Sequence, residues 1–289
     1  MAPLLIFGGT GQVGRELQRR VPDATFSTRQ TADLTQPEQI EAFIYESAPR
    51  AIINAAAYTN VDQAEESRDL ALSINGLAPG VMAEVAAELE VPLVHISTDY
   101  VFDGAGDAPW TPEDPTGPLG EYGLSKLAGE REVQKSGGTY AILRTSWVFS
   151  AHGKNFVKTM LRLAEKQNAL EIVNDQFGGP TSAASIAEAC VIMADALIED
   201  ASRSGIYHFA GHPVTNWSGG AREIFSKAGT SVGVSEVSTE AFPTKAQRPL
   251  NSRLDCVSTR DAFGIVQSDW RKDLANVLQE LSADSEDGP

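Results

Sequence analysis

"PLLIFGGTGQVGRELQRRV", residues 3–21, holds a short apolar run that ends on glycine, then Gly8, Gly11 and Gly14 at GxxGxxG spacing, then a stripe of Val13, Leu17 and Val21 four apart. The order is strand, tight turn, helix. Without Cβ atoms in such a turn, the pyrophosphate of a dinucleotide could approach backbone N–H groups at a helix N-terminus. A glycine turn of this kind also occurs for purely structural reasons, and the strand before it and the helix after it are what favour binding.

Working outward, "ATFST" (24–28) reads as a second strand, and "TQPEQIEAFIYES" (35–47) as a helix with capping-box spacing from Thr35 to Glu38 and a proline in its first turn. "AIINAAA" (51–57) is a third, buried strand. Residues 62–90 are Ala-rich and helical in composition, with a break expected near "NGLAPG" (75–80), and they lead into a fourth strand, "VPLVHIST" (91–98). The Pro- and Gly-rich stretch 103–120 reads as loop. A helix "EYGLSKLAGEREVQK" (121–135) and a strand "TYAILRTSWVF" (139–149) complete the series. Strands alternating with helices imply an α/β fold with a doubly wound parallel sheet, whose ligands sit at the carboxyl ends of the strands. We expect a dinucleotide-binding domain over 1–150. Residues 151–283 would supply the last sheet elements plus a smaller C-terminal substrate-binding lobe, and 284–289 a disordered acidic tail.

Composition narrows the function. A chain of 289 residues with 42% hydrophobic and 21% charged residues, and no apolar run of about 18 residues, reads as soluble, with no membrane span. "MAPLLIFGG" lacks the charged start of a secretory signal and reads as the first strand. Two distant cysteines, Cys190 and Cys256, suggest neither a disulfide framework nor a structural metal, and a cytoplasmic location follows. A net charge of -16 argues against nucleic acid as partner, because phosphate binding needs clustered Lys and Arg.

Three segments carry chemistry. In "FSTRQTADL" (26–34), Arg29 arrives before any carboxylate, which leans toward the 2′-phosphate of NADP(H), though it would serve as well as a solvated loop cation. Asp33 would meet the adenine or belong to the turn before Thr35. In "HISTDY" (95–100), Ser97, Thr98 and Asp99 fall at a strand's carboxyl end, and "YGLSK" (122–126) puts Tyr122 and Lys126 on one helix face. Reduction of a carbonyl needs a proton donor at the oxygen and a second donor to hold it. Tyr122 would give the proton, Thr98 would hold the carbonyl, and Lys126 would lower the phenol from its usual pKa of about 10. A lone YxxxK is weak, since it also arises as an ordinary surface pair. His95 and His208, in apolar strands, read as satisfied core residues, and His152 and His212 as loop residues.

With these segments in hand, the chain resembles the short-chain dehydrogenase/reductase superfamily in its extended, Rossmann form, and within it the dTDP-4-dehydrorhamnose reductase family. The strings that carry the likeness are "GGTGQVG", "NAAAYTNVDQAE", "STDYVFDG", "YGLSKLAGE", "RTSWVF", "NFVKTMLRLA", "VNDQFGGPT", "GIYHFAG" and "RPLNSRLD", spread over residues 8–255. The resemblance implies NAD(P)H-dependent reduction of the C4 ketone of a dTDP-linked 4-keto-6-deoxy sugar, with Thr98, Tyr122 and Lys126 as triad and Lys126 also on the nicotinamide ribose. It places Gly8, Gln12 and Val13 at the pyrophosphate, Asp33 and Leu34 near the adenine, and Ala55, Ala56 and Tyr58 beside the cofactor. Val61, Asp99, Tyr100 and Trp147 would face the sugar, and Asn155, Arg248 and Arg253 are candidates for the nucleotide diphosphate. Trp147 would also suit ordinary core, Asn155 a helix N-cap, and Arg253 a surface ion pair. The cofactor is NADPH or NADH, and a homodimer stays open. Mg2+ is associated with some members, but Glu16 alone makes no metal site. Two other readings stay open: a different nucleotide-sugar reductase or epimerase, and a non-catalytic NADP-binding regulatory subunit.

Overall fold

The computed structural model describes residues 2–286. Its centre is a six-stranded, all-parallel sheet made of β1 (Leu4–Phe7), β2 (Thr25–Phe26), β3 (Ala51–Asn54), β4 (Leu93–Thr98), β5 (Tyr140–Thr145) and, after four short strands elsewhere, β10 (Gly205–His208). The spatial order is β10-β5-β4-β3-β1-β2. Strands β1 and β3 bury every residue, as continuous apolar runs do when helices cover both faces of a parallel sheet. On one face lie α1 (Gln12–Arg20) and α8 (Ala183–Glu199). On the other lie α2 (Pro37–Ser47), α5 (Ala78–Glu88) and α6 (Glu121–Lys135). The chain changes winding direction between β1 and β3, so the crevice of this doubly wound fold opens above their carboxyl ends.

Between β3 and α5 come α3 (Val61–Ala64) and α4 (Arg68–Leu72). The expected break near "NGLAPG" does not occur, because a π-turn over Ser73–Leu77 carries α4 into α5 without interruption. This run, Arg68–Glu88, is apolar and long enough to cross a bilayer by length and composition, but 56% of its apolar window is buried, as in a core helix. The Thr35–Glu38 capping box is also replaced. Asp33 Oδ1 accepts both the Thr35 amide (2.9 Å) and its hydroxyl (2.8 Å), and Gln36 becomes the N-cap with no side-chain bond.

The expected strand 139–149 splits at Trp147, whose φ of 50° lies in the left-handed region that a bulky residue seldom adopts. There the chain leaves the main sheet and enters β6 (Val148–Phe149), α7 (Phe156–Ala164), β7 (Ala169–Val173), β8 (Phe177–Gly178) and β9 (Thr181–Ser182). After β10 come β11 (Thr215–Asn216), α9 (Trp217–Lys227), β12 (Gly233–Val237), β13 (Asn251–Ser252), α10 (Val257–Phe263) and α11 (Trp270–Glu286). Met160, Ile172, Ile224, Phe225, Trp270 and Leu274 give this second lobe a core of its own. Of the expected tail, 284–286 continue the last helix, and 287–289 lie outside the described residues.

Candidate active site

A cleft of about 1150 Å³ runs from the β1–α1 turn, across the ends of β3, β4 and β5, to the second lobe. At one end Gly8 has a φ of +89°, and a Cβ on it would sit 2.6 Å from the Ala56 nitrogen. A Cβ on Gly14 would lie 2.0 Å from the Gly8 carbonyl oxygen, so helix and strand approach as closely as glycine allows. Gly11 caps α1 without a side-chain bond, leaving the first amides of the helix for a ligand. The next turn carries Arg29 and Asp33. Arg29 is 86% exposed and its Nε stands 3.6 Å from Asp33, whose carboxyl is held below its usual range chiefly by the Thr35 amide.

The chemistry-bearing groups meet at the middle of the cleft. Thr98 ends β4 and is buried, and its hydroxyl donates to Asp99 Oδ1 at 3.1 Å while accepting the Tyr100 amide. Tyr122 opens α6 with its ring edge-on to Tyr100, centroids 5.6 Å apart. Gly123 lets this turn of helix close in, since a Cβ there would meet the Tyr100 carbonyl oxygen at 2.2 Å. Lys126 is 1% exposed, and its Nζ donates to the Ile96 carbonyl at 2.6 Å.

One expectation changes here. Burial pushes Tyr122 up to about 12, above and not below its usual 10, opposed by a hydrogen bond with Thr98 and reinforced by the Asp99 charge. Burial holds Lys126 itself down to about 8, with Glu130 pulling the other way. Asp99 is pushed up to about 7 by burial, against hydrogen bonds from Ser252 and Thr98, and its Oδ2 has no partner.

Beneath these groups the polar interior is paired. Glu130 receives Arg144 through two bonds of 2.7 and 2.9 Å and the Ser97 hydroxyl at 2.5 Å. Removing one member of so buried a pair costs about 3–5 kcal/mol, because the other charge is stranded. His208 is core, as expected: its Nδ1 lies 3.0 Å from the Trp110 carbonyl, and burial holds it down to about 3. His95 is buried too, but its Nε2 lies 3.3 Å from Lys126 Nζ, a contact the sequence did not announce.

The opposite wall comes from the second half of the chain. Trp147 stacks on Trp217 with centroids 3.7 Å apart, and both line the cleft. Asn155 caps α7 by accepting the Lys158 amide at 3.1 Å, and its amide nitrogen also donates to Gln12 Oε1 at 2.8 Å, tying this wall to the glycine turn. Arg248 donates to Asp62 at 2.9 Å and keeps Nη1 buried without a partner. Val61, Leu34, Val13, Ala55, Ala56 and Tyr58 line the same cleft. Arg253 does not: it bonds Asn251 and lies over the Phe177 ring, 4.5 Å from its centroid.

A family model described as the RmlD substrate binding domain matches residues 1–283. The chain belongs to that family. It is 39% identical to the dTDP-4-dehydrorhamnose reductase of Escherichia coli K12 over 291 residues, covering 96% of this chain and 97% of that one. It is 40% identical to the reductase of the same name from Burkholderia thailandensis over 293 residues, covering 96% and 98%. Among solved structures, a dTDP-4-dehydrorhamnose reductase from Clostridium acetobutylicum superposes with a TM-score of 0.90 at 35% identity, covering 97% of this chain and 99% of that one. One from Bacillus anthracis, in complex with NADP, gives 0.89 at 35% identity over 96% and 99%.

The residues present suit a dinucleotide, because Gly8, Thr10, Gly11, Gln12 and Val13 line this end of the cleft at the N-terminus of α1, whose first amides can meet a pyrophosphate. Glu16, the one acidic residue considered for a metal, instead faces Arg19 and His152, and no cluster of three metal-ligating side chains occurs among the described residues. Both cysteines are free and buried, each pushed up to about 12 by burial. Sequence reasoning missed Thr145 and Trp217. The Thr145 hydroxyl is buried in the cleft without a partner, in register with Thr98. That pairing of "RT" with "ST" at two adjacent strand ends was the available signal. Trp217 gave none, since only the fold brings it to Trp147.

Proposed function

We propose that this chain reduces the C4 ketone of dTDP-4-dehydro-L-rhamnose to the alcohol of dTDP-L-rhamnose, as the shared name of its relatives implies, with NADPH as the preferred cofactor and NADH accepted. The observation that carries the reading is the convergence of Thr98, Tyr122 and Lys126 at one point of a cleft whose far end is a glycine turn built for a dinucleotide. When bound, the reduced nicotinamide supplies the hydride.

Tyr122 then breaks its O–H bond and gives the proton to the oxygen at C4 as the ketone becomes an alkoxide. With its pKa raised to about 12, the phenol stays protonated throughout the neutral range, which suits a proton donor. Thr98 fixes the carbonyl oxygen beside it, and Lys126 offers its cation to the cofactor ribose and returns a proton toward Tyr122. Gly8, Gly11, Gln12 and Val13 hold the pyrophosphate, Arg29, Asp33 and Leu34 the adenosine end, and Ala55, Ala56 and Tyr58 the middle. Val61, Asp99, Tyr100 and Trp147 face the sugar. Arg248 is suited to the nucleotide diphosphate, since Asp62 orients one arm of its guanidinium and leaves the buried Nη1 for a phosphate oxygen. Asn155 reaches the same region beside Gln12. Residues 1–150 would thus serve the cofactor, and 151–283 complete the sheet and recognise the sugar nucleotide. A cytoplasmic site of action belongs to the same proposal, since a reduced dinucleotide is its co-substrate.

A panel of dTDP-, UDP- and GDP-linked 4-keto-6-deoxy sugars tests this. The dTDP sugar should turn over with NADPH at least tenfold more efficiently than the others. Equal or higher efficiency with UDP or GDP sugars would replace the substrate assignment.

A further inference from the structure

Behind Lys126 runs a buried chain of polar groups that neither the triad nor the cofactor turn requires. Asn54 ends β3 and His95 stands opposite it in register on β4, and both are 0% exposed. The Ala56 amide donates to Asn54 Oδ1 at 3.1 Å, which fixes the side-chain amide and leaves its Nδ2 to face His95 Nδ1 at 3.1 Å. A backbone N–H can only donate, so Asn54 cannot flip without stranding it. His95 Nδ1 is therefore an acceptor, and in a neutral imidazole the proton sits on Nε2. That N–H points at Lys126 Nζ, 3.3 Å away. The neutral state follows from burial first and the nearby Lys126 second, which hold His95 well below its usual range.

Two donors face each other if Lys126 is an ammonium. A neutral amine would accept from Nε2–H and donate to the Ile96 carbonyl, satisfying all three groups. We propose that His95, locked by Asn54, is a positioning residue for Lys126 that holds its Nζ at the end of β4 and lowers its affinity for a proton, so that Lys126 readily passes that proton on toward Tyr122. The inference rests on the reductase reading only for its purpose, not for the geometry. Other charges around the pair are accounted for. On α6, Tyr122 and Glu130 lie one turn either side of Lys126, and Glu130 favours the ammonium although Arg144 of β5 occupies its carboxylate. From β5, His95 is met in register by the apolar Ile142.

The test is a direct titration of Lys126 by NMR of the ε-carbon in lysine-labelled full-length protein, assigned with Lys126→Arg, which needs no turnover. In His95→Gln an amide oxygen can turn to accept from the ammonium, and the midpoint of Lys126 should rise by on the order of one pH unit. The basic limb of kcat should move with it while KM for NADPH stays within about twofold. Asn54→Asp, which keeps an acceptor for Ala56 and forces the proton onto His95 Nδ1, should move the midpoint in the same direction. A midpoint unchanged in both variants, with thermal unfolding like the parent's, overturns the proposal. Should the parent fail to turn over while the midpoint shifts as described, the reductase reading fails and the role of His95 stands.

Discussion

The wall that carries Thr98, Tyr122 and Lys126 is delivered by the regular part of the chain, each group at the carboxyl end of a parallel strand or in the first turns of the helix that follows, whereas the facing wall gathers Trp147, Asn155, Trp217 and Arg248 from segments with no common period. On the first wall, position follows from winding: β4 and β5 in register put Thr98 beside Thr145. On the second, position follows from long-range contacts, such as Trp147 on Trp217 and Arg248 on Asp62. Under the proposed function, the regular winding supplies the reacting groups, and the facing wall adds contacts to the sugar nucleotide that the winding alone does not provide.

If that division holds, substitutions on the two walls should separate kcat from sugar KM. Tyr122→Phe should have the largest effect, a loss of about 10²–10⁴ in kcat, with NADPH affinity measured by fluorescence titration nearly unchanged. Asp99 comes next, through stability. Its carboxyl is raised from 3.8 to about 7 in the folded chain, so the folded state binds more protons than the unfolded one between those values. Stability from this group is full below the unfolded pKa and is lost as pH rises through about 7, on the order of a few kcal/mol. Asp99→Asn should flatten that slope in denaturant unfolding followed from about pH 4 to about pH 8. Trp217→Leu, which removes the stack beneath Trp147, should raise KM for the sugar nucleotide by about 5–20-fold and leave KM for NADPH alone. Arg29→Ala should do least, lowering the NADPH-to-NADH preference by a few-fold, because an exposed guanidinium already near Asp33 contributes about 1 kcal/mol or less. A kcat effect from Trp217 as large as that from Tyr122 would erase the distinction between the walls.

The same contrast explains what the sequence could and could not tell. GxxGxxG between an apolar run and a 3.6-period stripe made the β1–α1 turn readable, and Tyr122 and Lys126 declared themselves by sharing a helix face. The π-turn at Ser73–Leu77 was hidden, because Gly76 and Pro79 look like breakers until the packing of Gly76 against α6 is seen. The turn at Trp147 was hidden as well, since nothing local marks a tryptophan for a φ of 50°. Arg253 read as a further candidate for a phosphate or as a surface ion pair, and the fold instead lays it over Phe177. His95 read as core from its apolar neighbours. It is core, yet the α6 register brings Lys126 to its Nε2.

The most direct test of the central claim is the fate of the hydride. Incubated with NADPH deuterated at the transferred position and dTDP-4-dehydro-L-rhamnose, the enzyme should yield dTDP-L-rhamnose with deuterium at C4, seen by proton NMR as loss of the H4 signal, and Tyr122→Phe should yield almost none. Bound cofactor with no deuterium at C4 of the sugar would contradict the account.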